Sequence, residues 1–238
     1  MSYSRPFRIF AEKPLEELLH QRLKALKTEV ENKPDDYILN VSEMEFANYL
    51  VQQHSIHNLL LKPNELSVST EEKQIPAELF PRFTFVIEGR SYKKDVFKFH
   101  LPFEGDTELL YRFPNNHIMW STNVTIEDRC ICFEIINFYD SADPIKHQAN
   151  EIIHSFEQQT DYLIKEVNSY NFSLPDNVRN IFQGRKLHLL NKGNLLAALG
   201  VPLKQRDDYP RTFAIPTPNT RKSISVKLPE VHEKGYPS

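Results

Sequence analysis

Two Glu-x-x-His pairs are the first residues in this sequence whose types and spacing could support chemistry. Glu17 with His20 and Glu151 with His154 both fall on predicted helices. Four-helix di-iron proteins bind metal with two such pairs and further carboxylates, because positions i and i+3 project toward one site. Here a rotation of about 100° per residue places both pairs opposite the apolar stripes of their helices. We therefore expect no metal site from them.

Two cysteines, Cys130 and Cys132, form the second candidate group. In a strand their side chains would point to the same face, as a metal clip or a redox pair requires. Two thiols do not complete a tetrahedral metal site, however, and no histidine or further cysteine lies nearby in the sequence. We expect reduced, packed thiols and no bound cofactor.

Familiar catalytic motifs are absent from the sequence. It contains no G-x-S-x-G, no H-E-x-x-H and no glycine-rich phosphate loop, and it has only six glycines. The predicted strands also lack the acid and D/E-x-K pattern of metal-dependent nucleases. We interpret Asp106, His100 and His117 as structural residues and predict no catalytic residue. A small metal-dependent nuclease or hydrolase with an unrecognised site remains the alternative.

Charge is distributed unevenly along the 238 residues. Between Arg179 and Lys227 the chain has ten lysines and arginines against two aspartates, a net charge of +8, although the total is −3. An acidic body followed by a basic end indicates an acidic partner. The residues we predict to bind nucleic acid or a partner are Arg185, Lys186, Lys192, Lys204, Arg206, Arg211, Arg221 and Lys222.

Two interpretations of this basic segment stay open. Its cations could follow a phosphate backbone, with Tyr209 and Phe213 available to stack on bases. Alternatively, the segment could bind the acidic part of its own chain or of a second subunit.

Periodicity predicts an α+β fold. A first helix begins at Pro14, with an apolar stripe from Leu15 to Val30, and a second follows Ser42, which forms a capping box with Glu45. A central antiparallel sheet is predicted to follow. Its expected strands are FTFVIEG (83–89) and SYKKDVFKFHL (91–101), joined in a hairpin at Gly89, followed by IMWS, NVTIED and CICFEIINFY.

A long antiparallel helical hairpin is predicted over 141–200. A helix starts near Asp143, and apolar residues recur three or four positions apart on both sides of the segment NFSLPDN (171–177). Two helices joined by so short a loop would run antiparallel. Prolines then recur through 201–238 and predict an extended basic tail. The expected domains are 1–140, 141–200 and 201–238.

The N-terminus has charges at Arg5 and Arg8 and no apolar run that would suit a signal peptide. No segment approaches the roughly 20 apolar residues of a membrane span. We expect a cytoplasmic protein without a membrane partner.

Several sequence blocks carry a family resemblance over roughly 80–225. They are LPFEGD (101–106) followed by Leu109, Leu110 and Pro114; FEIINFY (133–139); the predicted helical hairpin; LLAALGVPLKQRDD (195–208); YPRTFAIP (209–216); and Arg221 with Lys222. In these blocks the chain resembles the N-terminal accessory region of bacterial multidomain proteins that end in a restriction-endonuclease-like nuclease domain.

The resemblance implies a function without catalysis. In that group the catalytic residues lie downstream of the position equivalent to Lys222, so the chain would be the sensing or docking part, either as a separate subunit or as part of a longer protein. It would serve a DNA-restriction or phage-defence system by binding a partner protein such as a nuclease, and DNA as a further ligand. A homo-oligomeric scaffold that assembles through the helical hairpin is a third alternative.

Overall fold

The computed structural model describes residues 5–82 and 84–199, and their fold is α+β as predicted. The helices are α1 (Leu15–Asn32), α2 (Asp35–Asn40), α3 (Glu43–His54) and α4 (Ala142–Ala198). The strands are β1 (Phe7–Arg8), β2 (Lys13–Pro14), β3 (Leu60–Leu61), β4 (Ser67–Pro76), β5 (Ser91–Glu104), β6 (Arg112–Phe113), β7 (Asn123–Glu127) and β8 (Cys130–Ile136).

The two predicted N-terminal helices are confirmed as α1 and α3. Helix α1 follows Pro14, and its apolar stripe is buried at Leu15, Leu18 and Leu26. Helix α3 follows Ser42, whose hydroxyl accepts a 3.5 Å hydrogen bond from the Glu45 amide. This bond satisfies one of the free amides at the start of the helix, as the sequence predicted. The short helix α2, which has six residues and lies between them in the sequence, was not predicted.

The main sheet is antiparallel and has two chemically different faces. Its strands run in the order β1, β7, β8, β5, β3, and β4 also pairs with β5. One face is apolar and lies in the core, where Phe99 and Phe133 stack with their ring centroids 5.2 Å apart. The other face, which we call the outer face, carries polar residues from β4, β5, β7 and β8, among them Lys98 and His100. The short strands β2 and β6 form a separate parallel pair.

The predicted hairpin partner of β5 was wrong. Strand β5 pairs over ten residues with β4, whereas 84–89 forms turns and loop that leave Phe85 fully exposed. Strand β4 lies at an edge of the sheet, and most of its side chains on both faces are exposed. The alternation of apolar and polar residues that marks a half-buried strand is therefore missing from it. NVTIED and CICFEIINFY are confirmed as β7 and β8, but IMWS is not a strand.

The helical hairpin is the second correction, because α4 is one continuous helix of 57 residues with Pro175 inside it. Its buried stripe passes through the predicted break without a change of face, since Leu174 and Val178 are both completely buried. Proline inside a helix costs about 3 kcal/mol, and burying each of these side chains contributes about 1.5–3 kcal/mol. The Asn171 side chain also bonds both backbone groups of Ile56, at 3.1 and 2.8 Å. Tertiary packing therefore outweighs the local preference for a break.

Replacing Pro175 with alanine is expected to raise the free energy of unfolding by about 1–3 kcal/mol, because alanine restores a helical hydrogen bond and relieves the ring clash. The measurement is urea unfolding followed by circular dichroism. The control is Pro144→Ala, since proline in the first turn of α4 costs little and its removal should have an effect near zero. If Pro175 lay in a loop between two helices, its replacement by alanine would instead destabilise the protein. That result would contradict the continuous helix.

The first half of α4 packs on the sheet and the second half on the other helices. Phe156 contacts Phe133 of β8, and Phe182 contacts Phe46 of α3 with ring centroids 5.8 Å apart. The domain division at 140 and 141 therefore separates elements that share one hydrophobic core.

The predicted extended tail at 201–238 lies outside the described residues. Among the helices of residues 5–82 and 84–199, none combines the length and the apolar character needed to cross a bilayer.

Candidate functional site

Three of the eight basic residues predicted to bind a partner lie within the described part of α4, and all three face acidic groups of the same chain. Arg185 donates hydrogen bonds to the Lys33 carbonyl oxygen at 2.7 Å and to Asp35 at 3.1 Å. Lys186 lies 3.9 Å from Glu43, and Lys192 lies 4.0 Å from Asp35. The other five, Lys204, Arg206, Arg211, Arg221 and Lys222, lie outside the described residues.

The contacts of Arg185 anchor α4 to the start of α2. Asp35 occupies the first turn of α2, where a carboxylate is stabilised by the exposed amides of the helix end. The Arg185 side chain is only 20% exposed and bridges this carboxylate to the preceding backbone. Lys192 has a side chain that is 60% exposed and a longer contact, so its charge remains open to solvent. Of the three, Lys192 is the best placed to meet a partner.

The last turns of α4 present apolar side chains to solvent. Leu187, Leu190, Leu195 and Leu199 are exposed by 48–70%, and together with Lys192 they form what we call the α4 terminal surface. Leu187 and Leu190 lie three residues apart, and Leu195 and Leu199 four apart, so the two pairs cover different flanks of the helix. Residues 177–199 contain no aspartate or glutamate. A helix that is apolar on several sides is normally buried, which makes this surface a candidate for a protein contact.

A cluster on the outer face of the sheet brings together Cys132, His100 and Glu127. His100 on β5 lies directly opposite Cys132 on β8, and the His100 Nδ1 atom is 3.3 Å from the Cys132 sulfur. The other ring nitrogen of His100 lies 2.9 Å from the Ser69 hydroxyl. Both oxygens of Glu127 accept hydrogen bonds of 2.7 Å from Lys98. The sequence did not predict that Cys132, His100 and Glu127 lie together.

The predicted packing of the thiols is confirmed for Cys132, which is buried, whereas Cys130 is only partly buried. The reason given for it was incomplete, since a histidine 32 positions away in the chain lies within hydrogen-bonding distance of the thiol. The only signal that could have found this pair is the register of β5 against β8, in which His100 faces Cys132. Register is set by tertiary contacts and was not readable from the two strands separately.

The electrostatics of the cluster argue against a nucleophilic cysteine. Burial and the nearby Glu127 carboxylate raise the pKa of the Cys132 thiol to about 12. Burial and the Lys98 ammonium lower the pKa of His100. At neutral pH the pair is therefore a protonated thiol beside a neutral imidazole. Because the thiolate is the nucleophile, this pair is poorly suited to attack a substrate.

The two Glu-x-x-His pairs are separated in the structure and do not form one site. Glu17 contacts Gln21 and Arg112, whereas Glu151 lies 3.4 Å from His147. His154 lines an open groove of about 510 Å³ between β3 and α4, together with Asp161. Within residues 5–82 and 84–199, the one group of three residues spaced to hold a metal ion is His100, Glu127 and Cys132.

A comparison of the chain with protein-family models finds no match, and comparisons with curated proteins and with solved structures find none either. What the chain does must therefore be inferred from its own residues and their arrangement.

Proposed function

We propose that this chain is a non-enzymatic accessory module of a bacterial DNA-restriction or phage-defence system, in which the α4 terminal surface binds a partner protein. The basic segment that follows α4 in the sequence then contacts that partner or DNA. The system is proposed from the sequence blocks that resemble nuclease-bearing multidomain proteins. The binding role is supported by the exposed end of α4.

The observation that carries the proposal is the contrast between the two ends of α4. Over most of its length the helix is fixed to the sheet and to α1–α3, and Arg185 ties it to α2. Beyond Leu189, every described residue is exposed except the half-buried Leu196. A helix of 57 residues is about 85 Å long at 1.5 Å per residue, and the leucines of its last turns are exposed to solvent.

The distribution of charge also favours binding at the C-terminal end of α4. Residues 1–178 carry a net charge of −10 by sequence, which repels nucleic acid from the body. Residues 179–227 carry +8, and this stretch begins on α4. An acidic protein surface or a phosphate backbone would be attracted to the second stretch only.

Neither alternative function gains comparable support. The homo-oligomeric scaffold was predicted to assemble through a helical hairpin, and α4 is a single helix. A metal-dependent hydrolase would find its ligands in the cluster around Cys132, but that residue is only 2% exposed, which leaves a substrate little access to it.

Site-specific photo-crosslinking in the native host tests the proposal. A photoreactive amino acid at Leu195 is expected to crosslink one partner protein, and the same amino acid at Arg206 is expected to crosslink that protein or DNA. The control position is Phe172, which is 88% exposed on the same helix but lies outside the α4 terminal surface. Products are identified by mass spectrometry.

Three results would contradict the proposal. They are equal crosslinking at Leu195 and Phe172, products that contain only copies of this chain, and a Leu195 partner with no role in nucleic-acid processing. The first two argue against a specific partner contact, and the third argues against the restriction or defence role.

A further inference from the structure

We propose that His100, Cys132 and Glu127 form a zinc-binding site on the outer face of the sheet. The three ligands come from three adjacent strands, β5, β8 and β7. This site is independent of the α4 terminal surface and of any partner that binds there.

The spacing of the ligand atoms suits a tetrahedral metal. A zinc ion bound about 2.3 Å from sulfur and about 2.0–2.1 Å from nitrogen holds those two atoms about 3.5 Å apart. The His100 Nδ1 atom and the Cys132 sulfur are 3.3 Å apart. One oxygen of Glu127 lies within 4.8 Å of both. A zinc ion can therefore bind after small side-chain rotations, without movement of the strands.

The donor set selects the metal. Sulfur, imidazole nitrogen and carboxylate oxygen are the three ligand types that zinc accepts, whereas magnesium and calcium require oxygen ligands. The Ser69 hydroxyl lies 2.9 Å from the second ring nitrogen of His100 and holds the imidazole with Nδ1 toward the sulfur. A hydrogen bond to the second ring nitrogen orients most metal-bound histidines, and the Ser69 hydroxyl can supply it here in place of the usual carboxylate, carbonyl oxygen or water.

Lys98 competes with a metal ion for the Glu127 carboxylate. Its ammonium group bonds both oxygens of Glu127, so a zinc ion and Lys98 compete for the same carboxylate. An alternative partner is present, because Glu134 lies directly opposite Lys98 in the pairing of β5 with β8, and Lys98 would share it with Lys73, which already donates hydrogen bonds of 2.9 and 2.8 Å to its two oxygens. We expect zinc binding to exchange the Lys98–Glu127 contact for a Lys98–Glu134 contact. Zinc affinity is then set partly by a residue that is not a ligand.

The test is a titration of the chelator-treated full-length protein with Co²⁺, followed by competition with Zn²⁺. We expect one equivalent of Co²⁺ to produce a thiolate-to-cobalt charge-transfer band that Zn²⁺ removes. Cys132→Ser should abolish the band, and His100→Ala should weaken binding. Lys98→Met should tighten binding by roughly tenfold or more, because it frees a carboxylate from a charge-assisted hydrogen bond and removes a repelling charge.

The matched control is Cys130→Ser, since Cys130 is the neighbouring thiol on the same face but lies outside the three-residue cluster. This variant should keep the band. Circular dichroism of every variant verifies that the fold is retained. Absence of the band in the unaltered protein, its persistence in Cys132→Ser, its loss in Cys130→Ser, or unchanged affinity in Lys98→Met would each overturn the proposal.

Discussion

Replacing Phe156 with alanine is expected to lower the free energy of unfolding by about 4 kcal/mol, as for other large-to-small changes of buried aromatic residues. Phe156 is completely buried on α4. Its ring makes edge-to-face contacts with Phe10, Trp120 and Phe133, at centroid distances of 6.3, 5.7 and 5.8 Å. Edge-to-face pairs of this kind add stability beyond the area they bury.

Phe156 therefore joins α4 to strand β8 and to the two loop segments that contain Phe10 and Trp120. Equilibrium unfolding in urea, followed by circular dichroism, measures the loss. Phe172→Ala is the matched control, because Phe172 lies on the same helix and is 88% exposed. Its cost should stay within about 0.5 kcal/mol. Similar costs for the two variants would show that α4 does not pack on the sheet through Phe156.

The second large effect is expected at Gly105, where alanine should destabilise the protein by about 3–5 kcal/mol. The backbone at Gly105 has a φ of +101°, which side chains other than glycine rarely adopt and which costs about 1–3 kcal/mol. A methyl group there would also overlap the Asn58 carbonyl oxygen and come within 2.7 Å of the carbonyl carbon. Because both obstacles are backbone atoms, the strain cannot be relieved by a side-chain rotation.

Gly89→Ala separates the two causes. Gly89 also has a positive φ, of +78°, but no atom lies within 4 Å of the place where its methyl group would be. It should show the conformational cost alone, about 1–3 kcal/mol, without the added clash. Thermal and urea unfolding of both variants give the comparison. Equal losses would mean that β5 does not approach the segment before β3 as closely as the structure has it.

The sequence correctly predicted which residues are buried where burial follows the local period of a helix. The stripes of α1 and α4 were read from spacings of three and four residues, and Leu18, Phe156 and Phe182 are buried as expected. The cap at Ser42 was likewise visible, because a capping box involves residues only three positions apart. Strand β8 was readable because β-branched and aromatic residues dominate it.

Predictions that required knowledge of distant neighbours were wrong or incomplete. The sequence around Pro175 predicted a break between two helices, and only the burial of Leu174 and Val178 explains why one helix continues through it. Strand β4 was missed because an edge strand with two exposed faces has no apolar pattern. Neither the positive φ of Gly105 nor its close approach to Asn58 was predicted.

The same distinction applies to the two candidate sites. The sequence alone determined the basic character of the C-terminal part of the chain, since charge is a property of composition. The tertiary structure decided that Arg185 is bound to Asp35 of its own chain and that Lys192 remains exposed. It also decided that Cys132 meets His100 and Glu127. Local geometry fixes the period of a helix or strand, whereas the contacts between elements depend on register and burial, which are set by the whole fold.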